Sequence, residues 1–302
     1  MQLFNVDSCR GEEAGYMAIG FFDTLHLGHK AVIDRAISLA RDNNTISSVF
    51  LFKNNIYELI GVDKVPVFTF DQRIRQIEML GVDKVFALNA NKELLSLSPD
   101  EFTTFLRSKL HIKGIVCGAD FSYGRNGEGS ASDILHDFPA GEVVDLCFLS
   151  GEKVSTTLLK NKLMTGDLRS VNEMLGRPFS IVEKIVSGRE DGKRIGFPTI
   201  NMSFSRDILK QGVYISETII DGEAYRSLTN IGTHPTFHDA HKNAETFILD
   251  FNGTLYGETV EVKLLDYLRD IREFENVEAL KDQIKKDVEI RRKYDPIRAI
   301  GD

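Results

Sequence analysis

Residues 20–32 read GFFDTLHLGHKAV, and the fold turns on how the pattern changes across them. Met17–Phe22 is an apolar run of strand type, whereas Ala31–Ala40 repeats its apolar residues at helical spacing. The stretch is therefore a strand-to-helix turn, with His26 and His29 three residues apart at the helix start. A helix start offers free backbone N–H groups and the positive end of a dipole, and two imidazoles beside it can hydrogen-bond phosphoryl oxygens as charge develops. Read for structure alone, the same pair is a turn histidine and a helix cap, and the pattern leaves both readings open. Downstream, Ile46–Phe52, Gln72–Leu80 and Val85–Leu88 continue the alternation, so this half is built from βαβ units on a mostly parallel sheet. Ser98, Pro99 and Glu101 mark a further helix start, with Phe102, Phe105 and Leu106 on one face. The strand Gly114–Cys117 then leads into a glycine-rich turn, with Cys117 expected in the core.

Beyond Phe148 the grammar changes. Two helical stretches, about 156–164 and 167–175, lead into strands with period-two alternation. In Thr259–Leu264, Val260, Val262 and Leu264 fall on one side. Strands without intervening helices between about 180 and 266 predict an antiparallel sheet or small barrel. A closing helix spans about 277–293, with Asn276 as N-cap and an apolar stripe of Val277, Leu280, Ile284 and Val288 expected to pack as core. The domains are expected at 1–176 and 177–302.

The 302 residues suit two compact domains, and 42% hydrophobic and 27% charged residues are ordinary for globular chains. The net charge, 37 − 45 = −8, leaves no basic field for nucleic acid. Three cysteines without CxxC spacing argue against a disulfide framework or structural zinc and suit a reducing cytoplasm. The first residues lack a basic and apolar leader, and no apolar run approaches the ~20 residues that cross a bilayer, so neither secretion nor a membrane partner is expected. Phosphates must be handled by a few placed donors and metal ions.

A second constellation is SGREDGKRIGFPTINM at 187–202. Gly188, Gly192 and Gly196 let backbone approach a phosphate, Lys193 or Arg194 adds charge, and Thr199 and Asn201 alternate along an extended segment as hard oxygen ligands of the kind Mg²⁺ accepts. The structural alternative is a hairpin with a glycine-rich turn. Glu245 shares its strand face with Phe247 and Leu249, which predicts an inward-pointing carboxylate. His234, His238 and His241 read as a polar loop.

These motifs resemble a known family. GFFDTLHLGH at Gly20–His29 is similar to the nucleotidyltransferase motif of HxGH type, and GADFSYGRNGEG at Gly118–Gly129 and STTLLK at Ser155–Lys160 resemble later motifs of bacterial FAD synthetases. GKRIGFPTIN at Gly192–Asn201 resembles the riboflavin kinase signature, joined by LGRPF at Leu175–Phe179, GVY at Gly212–Tyr214, NIGTHPTF at Asn230–Phe237, ETFILDFNGTLYG at Glu245–Gly257 and LRDIREF at Leu268–Phe274. The resemblance implies a Rossmann-like α/β nucleotidyltransferase domain followed by an antiparallel β-barrel riboflavin kinase domain with a terminal helix.

By the same resemblance, ATP phosphorylates riboflavin in the second domain and adenylylates FMN in the first, with Mg²⁺ as cofactor and flavins as substrates and products. It implies that His26 and His29 act at the α-phosphate and that Glu245 is the general base. Gly20, Phe21, Asp23, Gly28, Asp120, Ser155, Thr156 and Lys160 are then nucleotide-binding in the first domain; Gly188, Gly192, Lys193, Arg194 and Gly196 are so in the second, with Thr199 and Asn201 at the metal. The isoalloxazine is implied near the last helix. The chain departs from the family pattern at Phe21, Thr24, Lys53-Asn54-Asn55 and Lys160, where small, glycine, Pro-His-Pro and arginine residues are usual. A monofunctional riboflavin kinase with an impaired first domain, or a non-catalytic flavin or nucleotide sensor, are the alternatives.

Overall fold

A computed structural model describes residues 1–62, 64–186, 191–204, 207–233 and 242–295. By its contacts the chain divides into two units, Met1–Thr156 and Thr157–Asp302.

In the first unit, β1 (Gln2–Asn5), β2 (Glu12–Ile19), β3 (Ser47–Phe52), β4 (Lys84–Leu88), β5 (Leu110–Gly118) and β6 (Glu142–Val144) form one sheet in the order β1-β4-β3-β2-β5-β6. Every pairing is parallel. The connecting helices are α1 (Leu27–Asp42), α2 (Phe70–Met79), α3 (Pro99–Lys109) and α4 (Ala131–Asp137). Alternate strand residues feed two cores. Ala18, Val49, Leu51, Val85 and Val116 meet Val32, Ile33 and Ala36 of α1, whereas Met17, Phe50, Phe86, Ile115 and Cys117 meet Phe102, Leu106 and Ile134. That two-sided burial is why these strands read as continuous apolar runs. The helix start at Ser98 is confirmed: its hydroxyl accepts from the Glu101 amide while the Glu101 carboxylate accepts from the Ser98 amide. From β2 the chain runs through β3 and β4 on one side and then crosses back to β5 on the other, so β2 and β5 flank the switch point, where open α/β sheets bind ligands.

In the second unit, α5 (Thr156–Thr165) and α6 (Leu168–Leu175) precede a closed barrel of β7 (Phe179–Val186), β8 (Thr199–Phe204), β9 (Gly212–Ile220), β10 (Glu223–Thr233), β11 (Lys242–Ile248) and β12 (Thr259–Arg269). The barrel order is β7-β8-β11-β10-β9-β12, antiparallel throughout. The division by contacts falls at 156/157, while the sequence suggests 176, because α6 packs on β12 and β7. Asn172 fastens it there: its amide donates to the Leu264 and Leu265 carbonyls and its carbonyl accepts from the Phe179 amide at 2.7 Å.

The barrel interior holds Phe179, Ile181, Met202, Phe204, Ile231, Ala244, Val262 and Leu264, all buried. It also holds a chain of hydroxyls: Thr218 to Ser227, Ser227 to Ser216, Ser216 to Thr229 and Thr229 to Thr246, each link between 2.8 and 3.0 Å. The last helix, α8, spans Val277–Lys293 with Asn276 accepting from the Ala279 amide, as its sequence predicts. A five-residue helix, α7 (Asp191–Ile195), stands where the sequence suggests a glycine-rich turn.

Two expectations are corrected. Glu245 and Phe247 lie on the outer face of the barrel, because Ala244, Thr246 and Ile248 take the interior. The α8 stripe is not core: Val277 is 52% exposed, and the buried residues of the helix are Asp287 and Arg291. Both misreadings share a cause, since periodicity groups residues on a face without saying which face is inside.

Candidate functional site

In the first unit the turn from β2 into α1 is tight, with buried Phe22 and Leu25 at φ 46° and 48°, a region that non-glycine residues seldom adopt. It delivers His26 to the N-cap of α1, where the ring Nδ1 accepts from the His29 amide at 3.2 Å. That bond leaves the ring proton of a neutral His26 on Nε2. The rings of His26 and His29 stack at 3.7 Å and 12°, and Phe22 meets His29 edge-on at 5.4 Å. The buried Nδ1 of His29 has no hydrogen-bond partner. Burial, and then the neighbouring His26, hold the His29 pKa well below its ordinary value, so His29 favours the neutral ring.

A cavity of about 310 Å³ opens on this pair. Gly20, Phe21, Gly28, Asp120, Ser155 and Thr156 line it with the two histidines. Gly28 is required by close approach, since a Cβ there would meet the His26 ring at 3.1 Å. Asp23 is absent from the lining; its carboxylate accepts from the Val67 amide at 2.7 Å and supports the turn from behind. Thr24 reaches the Thr156 hydroxyl at 3.3 Å. Lys160 belongs to the second unit. Sequence reasoning missed Lys153, which lines the cavity and pairs with Asp120 at 2.6 Å, and Cys147, which lines it beside Gly28. The proximity of Lys153 to the Ser155 motif is the signal that was there to be used.

In the second unit, Asn201 on β8 stands directly opposite Glu245 on β11, and Thr199 opposite Phe247. Asn230 of β10 flanks Glu245 on its other side. Directly opposed residues of an antiparallel pair share a face, so hydroxyl, amide and carboxylate are gathered on the outer barrel surface. Two cavities meet at Thr199. The smaller, about 190 Å³, is lined by Ile185, Asn201, Thr246, Phe251 and Tyr256 with Thr199. The larger, about 750 Å³, has Thr199, Leu228, Asn230, Glu245 and Phe247 on the barrel side and Val277, Leu280 and Ile284 of α8 facing them. Such an arrangement can hold a phosphoryl donor on one side of Thr199 and an alcohol acceptor on the other, with a carboxylate at the acceptor.

Gly192 and Arg194 line the larger cavity, and a Cβ at Gly192 would sit 2.4 Å from the Phe197 carbonyl oxygen. Gly196 follows α7 at φ 90°. Gly188, the Lys193 side chain and the histidines 234, 238 and 241 lie outside the described residues. Among the described residues no group of three or more His, Cys, Asp or Glu could hold a metal ion.

The FAD synthetase family profile matches residues 10–157 and the riboflavin kinase profile residues 175–294. The bifunctional riboflavin kinase/FMN adenylyltransferase of Bacillus subtilis (strain 168) is 31% identical over 282 residues, covering 90% of this chain and 89% of its own. Its counterpart in Listeria monocytogenes is 32% identical over 288 residues, covering 92% and 91%. A crystal structure described as a macrolide-efflux protein from Streptococcus pneumoniae superposes with a TM-score of 0.88 at 25% identity, covering 98% of this chain and 100% of that one. Among the described residues here, no helix is long and apolar enough to cross a membrane. With both profiles matched in order and such relatives aligned along nine-tenths of its length, the chain belongs to the bifunctional riboflavin kinase/FMN adenylyltransferase family.

Proposed function

We propose that the chain makes both flavin cofactors: riboflavin and ATP give FMN and ADP at the barrel, and FMN and ATP give FAD and pyrophosphate at the parallel sheet. The observation that carries the kinase half is the position of Thr199 between two cavities, with Asn201 on one side and Glu245 on the other. ATP occupies the smaller cavity and riboflavin the larger. Glu245 takes the proton of the primary hydroxyl as its oxygen bonds the γ-phosphorus and the bond to ADP breaks.

The Thr199 hydroxyl and Asn201 amide are neutral oxygen donors without a carboxylate cage, a set that fits Mg²⁺ sharing its shell with triphosphate oxygens and water. When bound, Mg²⁺ supplies charge neutralisation at the transferring phosphoryl group. Gly192 and Arg194 line the larger cavity beside Thr199, and Gly188, Lys193 and Gly196 are assigned to the nucleotide from sequence alone.

At the first site His26 and His29, with the α1 amides, bind the α-phosphate oxygens of ATP as the FMN phosphate attacks and pyrophosphate leaves. The unpartnered His29 Nδ1 supports that assignment. Gly20, Phe21, Gly28, Asp120, Ser155 and Thr156 bound the nucleotide, Asp23 holds the turn, and Lys160 is assigned to the nucleotide from sequence alone. The functional domains on this reading are 1–176 and 177–302. The substrates are small molecules, with neither nucleic acid nor membrane as partner, and three free cysteines suit the cytoplasm.

One incubation with riboflavin, ATP and Mg²⁺ followed by flavin separation tests the reading, with FMN and FAD both expected. FMN alone would make the chain a riboflavin kinase with an idle first site, and neither product would leave a sensor. Glu245→Gln is expected to abolish FMN formation with ATP binding kept, and His29→Ala to abolish only FAD formation from supplied FMN.

A further inference from the structure

A helix laid on a barrel normally buries its apolar stripe. Helix α8 does the reverse. Val277, Leu280 and Ile284 face the 750 Å³ cavity, across which stand Leu228 and Phe247, while the residues it buries are charged, Asp287 at 2% exposure and Arg291 at 1%. Arg269, at the end of β12 and on the wall of that cavity with Asp287, donates Nε to both Asp287 carboxylate oxygens at 3.1 and 3.0 Å and Nη2 to one of them at 2.8 Å. Gln283 donates to the same carboxylate at 2.9 Å. Arg291 donates Nε to the Ser216 carbonyl at 2.9 Å. The helix is therefore fastened by polar tethers of fixed length, and two apolar walls are kept apart that the hydrophobic effect would otherwise bring together.

We propose that Arg269 and Asp287 are positioning residues, a spacer that holds α8 off the barrel at the height a flat aromatic ring needs, and so sets affinity for the ring system of riboflavin. This rests on the reading that the larger cavity takes riboflavin. A buried ion pair is a poor device for stability, since apolar residues of similar volume often replace one without loss. It is a good device for distance, because a bidentate guanidinium–carboxylate contact tolerates little change of length or angle. With the pair intact, only a ligand that fills the gap can bury both walls.

The test compares the full chain with Arg269→Met/Asp287→Leu, which leaves no unpaired charge, and with Asp287→Asn, which keeps the outline but only one of the two accepting oxygens and leaves Arg269 without its counter-charge. Folding is checked by thermal melting, riboflavin binding by quenching of its fluorescence without ATP, and turnover by FMN formation. In the double variant α8 settles onto Leu228 and Phe247, so the riboflavin KM is expected to rise at least about tenfold with the ATP KM unchanged and kcat at saturating riboflavin within about twofold. Asp287→Asn, which loosens the contact, is expected to raise the riboflavin KM by about threefold or more. Unchanged riboflavin affinity in the folded double variant would overturn the spacer, as would a fall in kcat with KM unchanged. Should the double variant not fold, unchanged riboflavin affinity in folded Asp287→Asn would overturn it too, because the bidentate contact is broken there. A wild-type chain that binds no riboflavin overturns the functional reading and the spacer with it, and is distinguished by appearing before any substitution.

Discussion

Gly28→Ala separates stability from chemistry at the first site. Gly28 is the second residue of α1 and its φ lies outside the left-handed region, so alanine is conformationally welcome and in a helix is worth up to about 1 kcal/mol over glycine. The added Cβ would stand 3.1 and 3.2 Å from Cε1 and Nδ1 of His26, and 3.5 Å from the Cys147 Cβ. The last is ordinary contact, but the first two are too close, and the His26 ring must retreat by a few tenths of an ångström. That ring cannot move alone, because its Nδ1 holds the His29 amide and its face is stacked on His29 at 3.7 Å. The strain of moving it, about 1 kcal/mol for an off-rotamer ring, roughly cancels the helix gain. The expected melting temperature is within about 4 °C of wild type. Displacement of two groups that, on the proposed function, act on one phosphate is different in kind, since misplacement near 1 Å can cost about a hundredfold in rate; a loss of about 10- to 100-fold in FAD formation from supplied FMN is expected, with FMN formation from riboflavin unchanged. The assay is flavin separation after timed incubation with each substrate, paired with a melting curve. Undiminished FAD formation would refute the reasoning, because the His26–His29 geometry would then not matter to the reaction.

His29 makes stability depend on pH. Its folded pKa lies below the ordinary 6.5, so the unfolded chain binds the extra proton and stability should fall as pH drops below about 6.5, with no such loss above it. Melting curves from pH 5 to 8 should show that slope, and His29→Gln should flatten it. Within the barrel, Thr229→Val removes the hydroxyl that links Ser216 to Thr246, and urea unfolding should show a loss of about 1–3 kcal/mol from the polar atoms left buried. Asn172→Ala removes three hydrogen bonds that fasten α6 to the barrel. A loss of about 2 kcal/mol is expected in the same assay, and an unchanged midpoint would mean that packing alone holds α6.

The parts of the fold that were legible in the sequence are those specified locally. Ser98 and Glu101 satisfy each other's amides within one turn, and Asn276 caps α8 with its own side chain, so both helix starts could be read without knowing what surrounds them. The turn at His26 is of the same kind: an apolar strand, a glycine and a capping side chain lie within ten residues. Strand β1 was not legible, because four residues of mixed exposure become a strand only by pairing with Lys84–Ala87, some eighty positions away. Nor was α7, a five-residue helix whose Gly192 argues against helix by propensity.

The sequence by itself determined two domain types and the strand-to-helix turn that carries His26 and His29, since strand–turn–helix grammar and capping are short-range. Tertiary structure decided which side of the barrel Glu245 serves, that Thr199 stands between two cavities, that Lys153 meets Asp120, and that the apolar stripe of α8 overlooks a cleft. Periodicity records which side chains share a face; the far partner that covers that face, or leaves it open for a ligand, is brought there only by closing the chain on itself.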